Sequence, residues 1–189
     1  MILTAQELKQ YVTTDEDDQA LEAKLSALEL SIRAYTNNNF QQRNIRRMAD
    51  ISQGTIVMAS NPFKVGDTVQ VTESNFNDGL YTVTAADDST ITIKEDSFDE
   101  DDVLVTRVVY PMDVKIGAAA ILKWKLKNDA ANSGDETKKD IQSETVSRHS
   151  VTYATDTTES DIDEGFGVPK KHIAFLKPYM KARFGQGVR

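Results

Sequence analysis

At 189 residues the chain can bury one good core, or one core and a small second module, and its net charge of −8 argues against a general nucleic-acid binder, which needs a basic footprint. Cysteine is absent, which removes disulfides and thiolate chemistry and fits a reducing cytoplasm. No apolar run approaches the roughly 20 residues that a membrane span needs, and the opening "MILTAQELKQ" lacks the basic and apolar regions of a secretory signal, so neither membrane insertion nor secretion is expected.

In chain order, "LTAQELKQYV" comes first. Thr4 followed by Glu7 forms a capping box, in which each side chain satisfies a free backbone N–H at a helix start. Acids at 15 to 18 precede a long helix, as the helix dipole favours. Leu21, Leu25, Leu28, Ile32 and Tyr35 recur at the spacing of one helix face, with Ala20, Ala27 and Ala34 beside them as small residues that permit close approach. Asn37, Asn38 and Asn39 follow, and asparagine tolerates the left-handed conformation that ends helices.

The period changes after Arg47. "TIVMA", "DTVQVTE", "GLYTVTAA", "STITIKE" and "VLVTRVVY" read as five short strands, rich in Val, Thr and Ile and separated by the turns "NPFKVGD", "NFNDG" and "AADDST". Strands of this size predict a small SH3-like or OB-like barrel over residues 51–109. The run "EDSFDEDD" joins its last two strands and lacks the glycine and terminal glutamate of an EF-hand loop, which argues against calcium. Residues 87 to 102 hold eight acids against the single base Lys94, a net of −7 that is nearly the whole excess.

The helical period returns at "YPMDVKIGAAAILKWKLKN", where Pro111 suits a first turn. Val114, Ala118, Ile121 and Lys125 share one face, and Ile116, Ala120 and Trp124 another. Such a helix is expected to be buried on both faces at the centre of a helical core. After the polar "NDAANSGDETKKD" comes "SETVSRHSVTY", whose two faces are both mixed, as in an edge strand or an extended arm. "VPKKHIAFLKPYMKARFG" should begin a last helix at Pro169, with Ile173, Leu176 and Tyr179 inward and a kink at Pro178. From Pro169 to Arg189 there are six bases and no acid, a polarity that suits oriented docking.

Ser147 and His149 raise the question of a hydrolase. A serine nucleophile needs a base within reach, a group to orient that base, and oxyanion donors. On one strand face these two residues stand roughly 6 to 7 Å apart at the base. No G-x-S-x-G elbow accompanies them, and no glycine lies near either serine of "SRHS". No catalytic residue is therefore assigned. His172 has no Cys or His partner at metal spacing, so no metal ligand and no cofactor are assigned either.

Four segments together resemble a known family. "MILTAQELKQYVTTDEDDQALEAKLSALELSIRAYTNNNF", "YPMDVKIGAAAILKWKLKN", "IQSETVSRHSVTYA" and "VPKKHIAFLKPYMKARFG" are similar, in that order, to the head–tail connector (adaptor) proteins of long-tailed bacteriophages and prophages. The resemblance covers about residues 1–40 and 110–185. Residues 51–109 depart from it, since shorter members have little there, and they look like an insertion.

The resemblance implies an α+β chain: a discontinuous, connector-like helical bundle of residues 1–50 and 110–189, interrupted by the five-stranded barrel. It implies a non-enzymatic virion protein, assembled in the host bacterial cytoplasm and located in the neck. There it would form a twelve-subunit homo-oligomeric ring under the portal protein, though the free chain can be a monomer. The ring would dock a neck or tail-completion protein and let DNA pass without specific binding. The residues expected at a subunit or portal interface are Val151, Tyr153, Lys170, Lys171, Lys177, Tyr179, Lys181 and Arg183. The alternative is a free-standing module that binds protein or nucleic acid through the barrel.

Overall fold

The structure, a computed structural model, describes residues 1–132, 143–146, 149–152, 162–163 and 165–182, with the backbone alone for 129–132, 143–146 and 149–152. The chain is mixed α/β and divides into two compact units. One holds Asn37–Pro111; the other combines Ile2–Thr36 with Met112–Ala182.

The first unit is a closed antiparallel barrel of six strands: β1 (Gln41–Ser52), β2 (Thr55–Val57), β3 (Thr68–Thr72), β4 (Gly79–Ala86), β5 (Thr90–Ile93) and β6 (Glu100–Val108). Around the barrel the order is β1-β2-β5-β4-β3-β6, with β6 returning to β1. The registers Ile51↔Ile56, Ile56↔Ile91, Val83↔Ile93, Val69↔Tyr81 and Val71↔Val105 bring buried aliphatic and aromatic residues side by side on successive strands. Ile91 and Ile93 point into this core and Thr92 outward, as alternation requires.

Five strands were expected and six close the barrel. The additional strand is β1, which straddles the boundary drawn at residue 50. Its first half, "QQRNIRR", carries three arginines and no apolar alternation, because that stretch is not buried on either face and its register on β6 shifts between Gln41 and Arg46. Only Ala49 and Ile51 enter the core. Strand β6 also starts earlier than expected, at Glu100 inside the acidic run. Gln53 (φ 49°) and Gly54 (φ 75°) make the two-residue connection from β1 to β2, both in the left-handed region that a tight hairpin matching the strand twist requires.

The second unit contains α1 (Ala5–Lys9), α2 (Asp18–Thr36) and α3 (Met112–Asn132). Both bonds of the Thr4–Glu7 capping box are present. Leu21, Leu25, Leu28 and Ile32 are buried along α2, and Asn37 ends the helix at φ 48°. The last carbonyl of α2, that of Thr36, accepts a hydrogen bond from the Lys181 amide at 2.8 Å. In α3, Val114, Ala118, Ile121 and Leu122 are buried.

Among the described residues, burial of α3 on two faces does not occur. Ile116 and Ala120 are exposed and Trp124 is half-buried, with its ring centroid 6.3 Å from that of His172. The described elements of this unit cover the Val114–Ile121 face, and nothing among them covers the opposite one.

The expected last helix is instead two 3-10 turns, Lys170–His172 and Ala174–Tyr179, with Pro169 capping the first and Pro178 inside the second. A proline has no N–H for an α-helical ladder, and the 3-10 form tolerates it over one short turn. Ile173 and Leu176 are buried as expected. A ring contact explains why α3 has Gly117: a Cβ there would collide with Cζ, Cε1 and Cε2 of Phe175.

The stretch read as an edge strand or an extended arm holds two short strands, β7 (Ser143–Val146) and β8 (His149–Thr152), paired antiparallel with Val146 opposite His149. A shorter pair, β9 (Ile162–Asp163) and β10 (Val168–Pro169), precedes the 3-10 turns. Among the described residues no helix is long and apolar enough to cross a membrane.

Candidate functional site

Of the residues expected at an interface, Lys170, Lys171, Lys177 and Lys181 are exposed on the C-terminal turns. Val151 lies in β8, where the backbone alone is described; Tyr153 and Arg183 lie outside the described residues. Tyr179 is half-buried, and its hydroxyl donates to the Asp113 carboxylate, at 2.8 Å from Oδ1 and 2.7 Å from Oδ2. That bond raises the phenol above its ordinary value, because it favours the protonated form. Tyr179 therefore ties the second 3-10 turn to the start of α3.

Helix α3 adds exposed lysines to those of the C-terminal turns. Met112, Ile116, Ala120, Lys123 and Lys127 follow one another at intervals of three and four, so they fall on one side of the helix, and all five are exposed. On α2, Ala20, Ala27, Ala34 and Leu30 are exposed along the side away from the leucine stripe. A shallow groove of about 200 Å³ runs between α2 and α3, lined by Lys24, Ala27, Leu28, Ser31, Leu122 and Lys125.

The barrel carries a site that the sequence reading did not single out. Phe76, in the β3–β4 loop, is 72% exposed, and Phe98, in the β5–β6 loop, is 67% exposed. Their ring centroids are 6.1 Å apart with planes tilted by 59°. The two loops are bound to each other beneath these rings. Asn77 is 1% exposed; its Oδ1 accepts from the Phe98 amide at 2.8 Å, and its Nδ2 donates to the Phe98 carbonyl at 3.1 Å and to Glu100 Oε2 at 2.7 Å. Glu100 also accepts from the Asn75 amide and from the Ser74 hydroxyl, both at 2.5 Å. These donors, the Asn75 amide foremost and then the Ser74 hydroxyl, hold the Glu100 carboxyl down to about 2. Tyr81 donates its hydroxyl to the Asn77 carbonyl at 3.0 Å, and burial, followed by nearby Glu95, Asp78 and Glu100, pushes that phenol up.

The signal for this tip was present in "SNFNDG" and "DSFDED". Each sets one phenylalanine among turn-forming and acidic residues, with no apolar neighbour at strand spacing to draw it inward. Single exposed aromatics are ordinary. Two of them, brought together across 22 positions of sequence on pinned loops, are not. Among the described residues no cluster of His, Asp or Glu could hold a metal ion. No protein-family model matches the chain, and no curated protein does.

Proposed function

We propose that this chain is a structural subunit of a bacteriophage head–tail connector, without catalysis of its own. It forms a ring beneath the portal, extends the DNA channel and docks the next neck or tail protein. In this reading the helical unit is the connector bundle, and the barrel is an inserted SH3/OB-like module. The ring has twelve copies, is part of the virion neck and is assembled in the host bacterial cytoplasm.

The observation that carries the reading is the make-up of the helical unit. The segments similar to connectors lie on both sides of the barrel in sequence, yet they share one compact unit of Ile2–Thr36 and Met112–Ala182. That unit leaves the alanines of α2 and the Met112–Ile116 side of α3 exposed, which suits subunits that pack closely on one another. The exposed lysines of the C-terminal turns suit docking on an acidic neighbour, and a net-acidic chain suits a channel through which DNA slides without sticking. The test is retention of the full chain on immobilised portal rings across a salt series. Binding should weaken with salt and fall further when Lys170, Lys171, Lys177 and Lys181 are all changed to Glu; binding indifferent to both would contradict the reading.

A second reading, that the barrel grips a protein partner directly, is favoured by the pinned Phe76–Phe98 pair. It predicts that the portal does not retain the chain at any salt.

A further inference from the structure

We infer that the Phe76–Phe98 tip of one copy docks on the outer face of α3 of a second copy, a head-to-tail contact between unlike surfaces. The inference rests on the ring reading and deepens it by naming the two surfaces that meet.

The tip has the attributes of a binding hot spot. Exposed aromatics dominate interface energetics when they are rigid, because little side-chain freedom remains to be lost. Here the rigidity is built in: Asn77 clamps Phe98 by both its amide and its carbonyl, and Glu100 holds the loop that carries Phe76. This network fixes the backbone that carries both rings before any partner arrives.

Charge selects the partner. Glu73, Asp78, Glu95, Asp96 and Asp99 flank the two phenylalanines in sequence, so the matching surface is apolar at its centre and basic at its edge. Helix α3 offers such a surface. Met112, 63% exposed, and Ile116, 48% exposed, are continued by Ala120 and bordered by Lys123 and Lys127 on the same side. The tip and the α3 face are different surfaces, so the contact is heterologous. A heterologous contact repeats from copy to copy and gives a ring when its rotation closes.

Size sets the strength. Two phenylalanines bury roughly 300 to 500 Å² between them, below the roughly 800 Å² per partner of a stable interface. The contact is therefore weak for a free pair of chains and is reinforced when neighbours are held side by side.

The test replaces Phe76 in the full chain by the photo-crosslinker p-benzoylphenylalanine and irradiates at about 1 mM, where roughly two-fifths of a millimolar contact is occupied. The expected product is an intermolecular crosslink that maps to residues 112–127, disappears with Ile116→Asp and weakens with salt. Ile116 is exposed, so this change leaves the helical core intact. As an independent arm, Phe76→Ser/Phe98→Ser chains and Ile116→Asp chains should each sediment as monomers alone, while a mixture gives a one-to-one pair through the remaining intact tip and face. No intermolecular crosslink, or a crosslink to another barrel tip, overturns the inference. Rings that form unchanged from Phe76→Ser/Phe98→Ser chains would sink this contact and leave the ring reading standing. Crosslinked pairs that never close into a ring on the portal would uphold the contact and sink the ring.

Discussion

Asn77 grips Phe98 twice: its side-chain oxygen receives the Phe98 amide at 2.8 Å, and its side-chain nitrogen donates to the Phe98 carbonyl at 3.1 Å. One buried amide thereby joins the β3–β4 loop to the β5–β6 loop at the end of the barrel. Asn77→Ala removes both bonds, together with the one from Asn77 Nδ2 to Glu100, and leaves the Phe98 backbone groups without that partner. The expected loss is about 2 kcal/mol of barrel stability, read from the shift in denaturant midpoint. A midpoint unchanged within error would mean the loops are held elsewhere.

Glu100 gives the barrel tip a dependence on acid. Its folded-state value of about 2 lies below the ordinary 4.5, so the carboxylate stabilises the folded form fully above about 4.5. That contribution is lost as pH falls from there through about 2. Glu100→Gln should lower the midpoint at neutral pH and flatten the decline between those two values. A variant whose pH profile parallels the wild type would show that other carboxylates govern acid unfolding.

Much of this fold was legible in the residues, and the failures have physical causes. The leucine stripe of α2, the Thr4–Glu7 cap and the Ile91/Ile93 alternation each express one element's own period. Strand β1 was not legible, because "QQRNIRR" pairs with β6 at Gln41, Arg46 and Arg47 across a register shift, and only Ile45 of its side chains packs, half-buried, against the core. The second face of α3 looked like core because Ile116, Ala120 and Trp124 are apolar. Pattern reports apolarity, and it does not say whether the chain itself or another molecule provides the cover. The lysines of the candidate interface were visible as a charge run. The Phe76–Phe98 pair was not, since closure of the barrel is what brings two separate loops together.

Gly117 offers a sharp packing test. Alanine is the better helix former by about 1 kcal/mol, so helix propensity alone predicts that Gly117→Ala stabilises α3. The Phe175 ring against that position predicts the reverse. We expect a net destabilisation of about 1 to 3 kcal/mol, as for other overpacked sites, and partial rescue when Phe175→Leu is added. Calorimetric melting of the wild type and these two variants decides between the two.

The Tyr179–Asp113 bond predicts a change at high pH. The phenol's folded-state value is raised, so its contribution is fully present below about 10 and is lost as pH rises through the raised value. Subtracting the ultraviolet phenolate titration of Tyr179→Phe from that of the wild type isolates this group. Its midpoint should lie above 10 and return toward it in Asp113→Asn. A midpoint unmoved by Asp113→Asn would mean that the bond does not form in solution.

The ring itself is measured most directly by native mass spectrometry of the full chain with the portal ring at low salt. Twelve copies of the 21.0 kDa chain should add about 252 kDa to the portal in one closed species, with few partly filled ones. A portal that gains no mass, or a chain that binds as scattered single copies without closure, would contradict the connector reading.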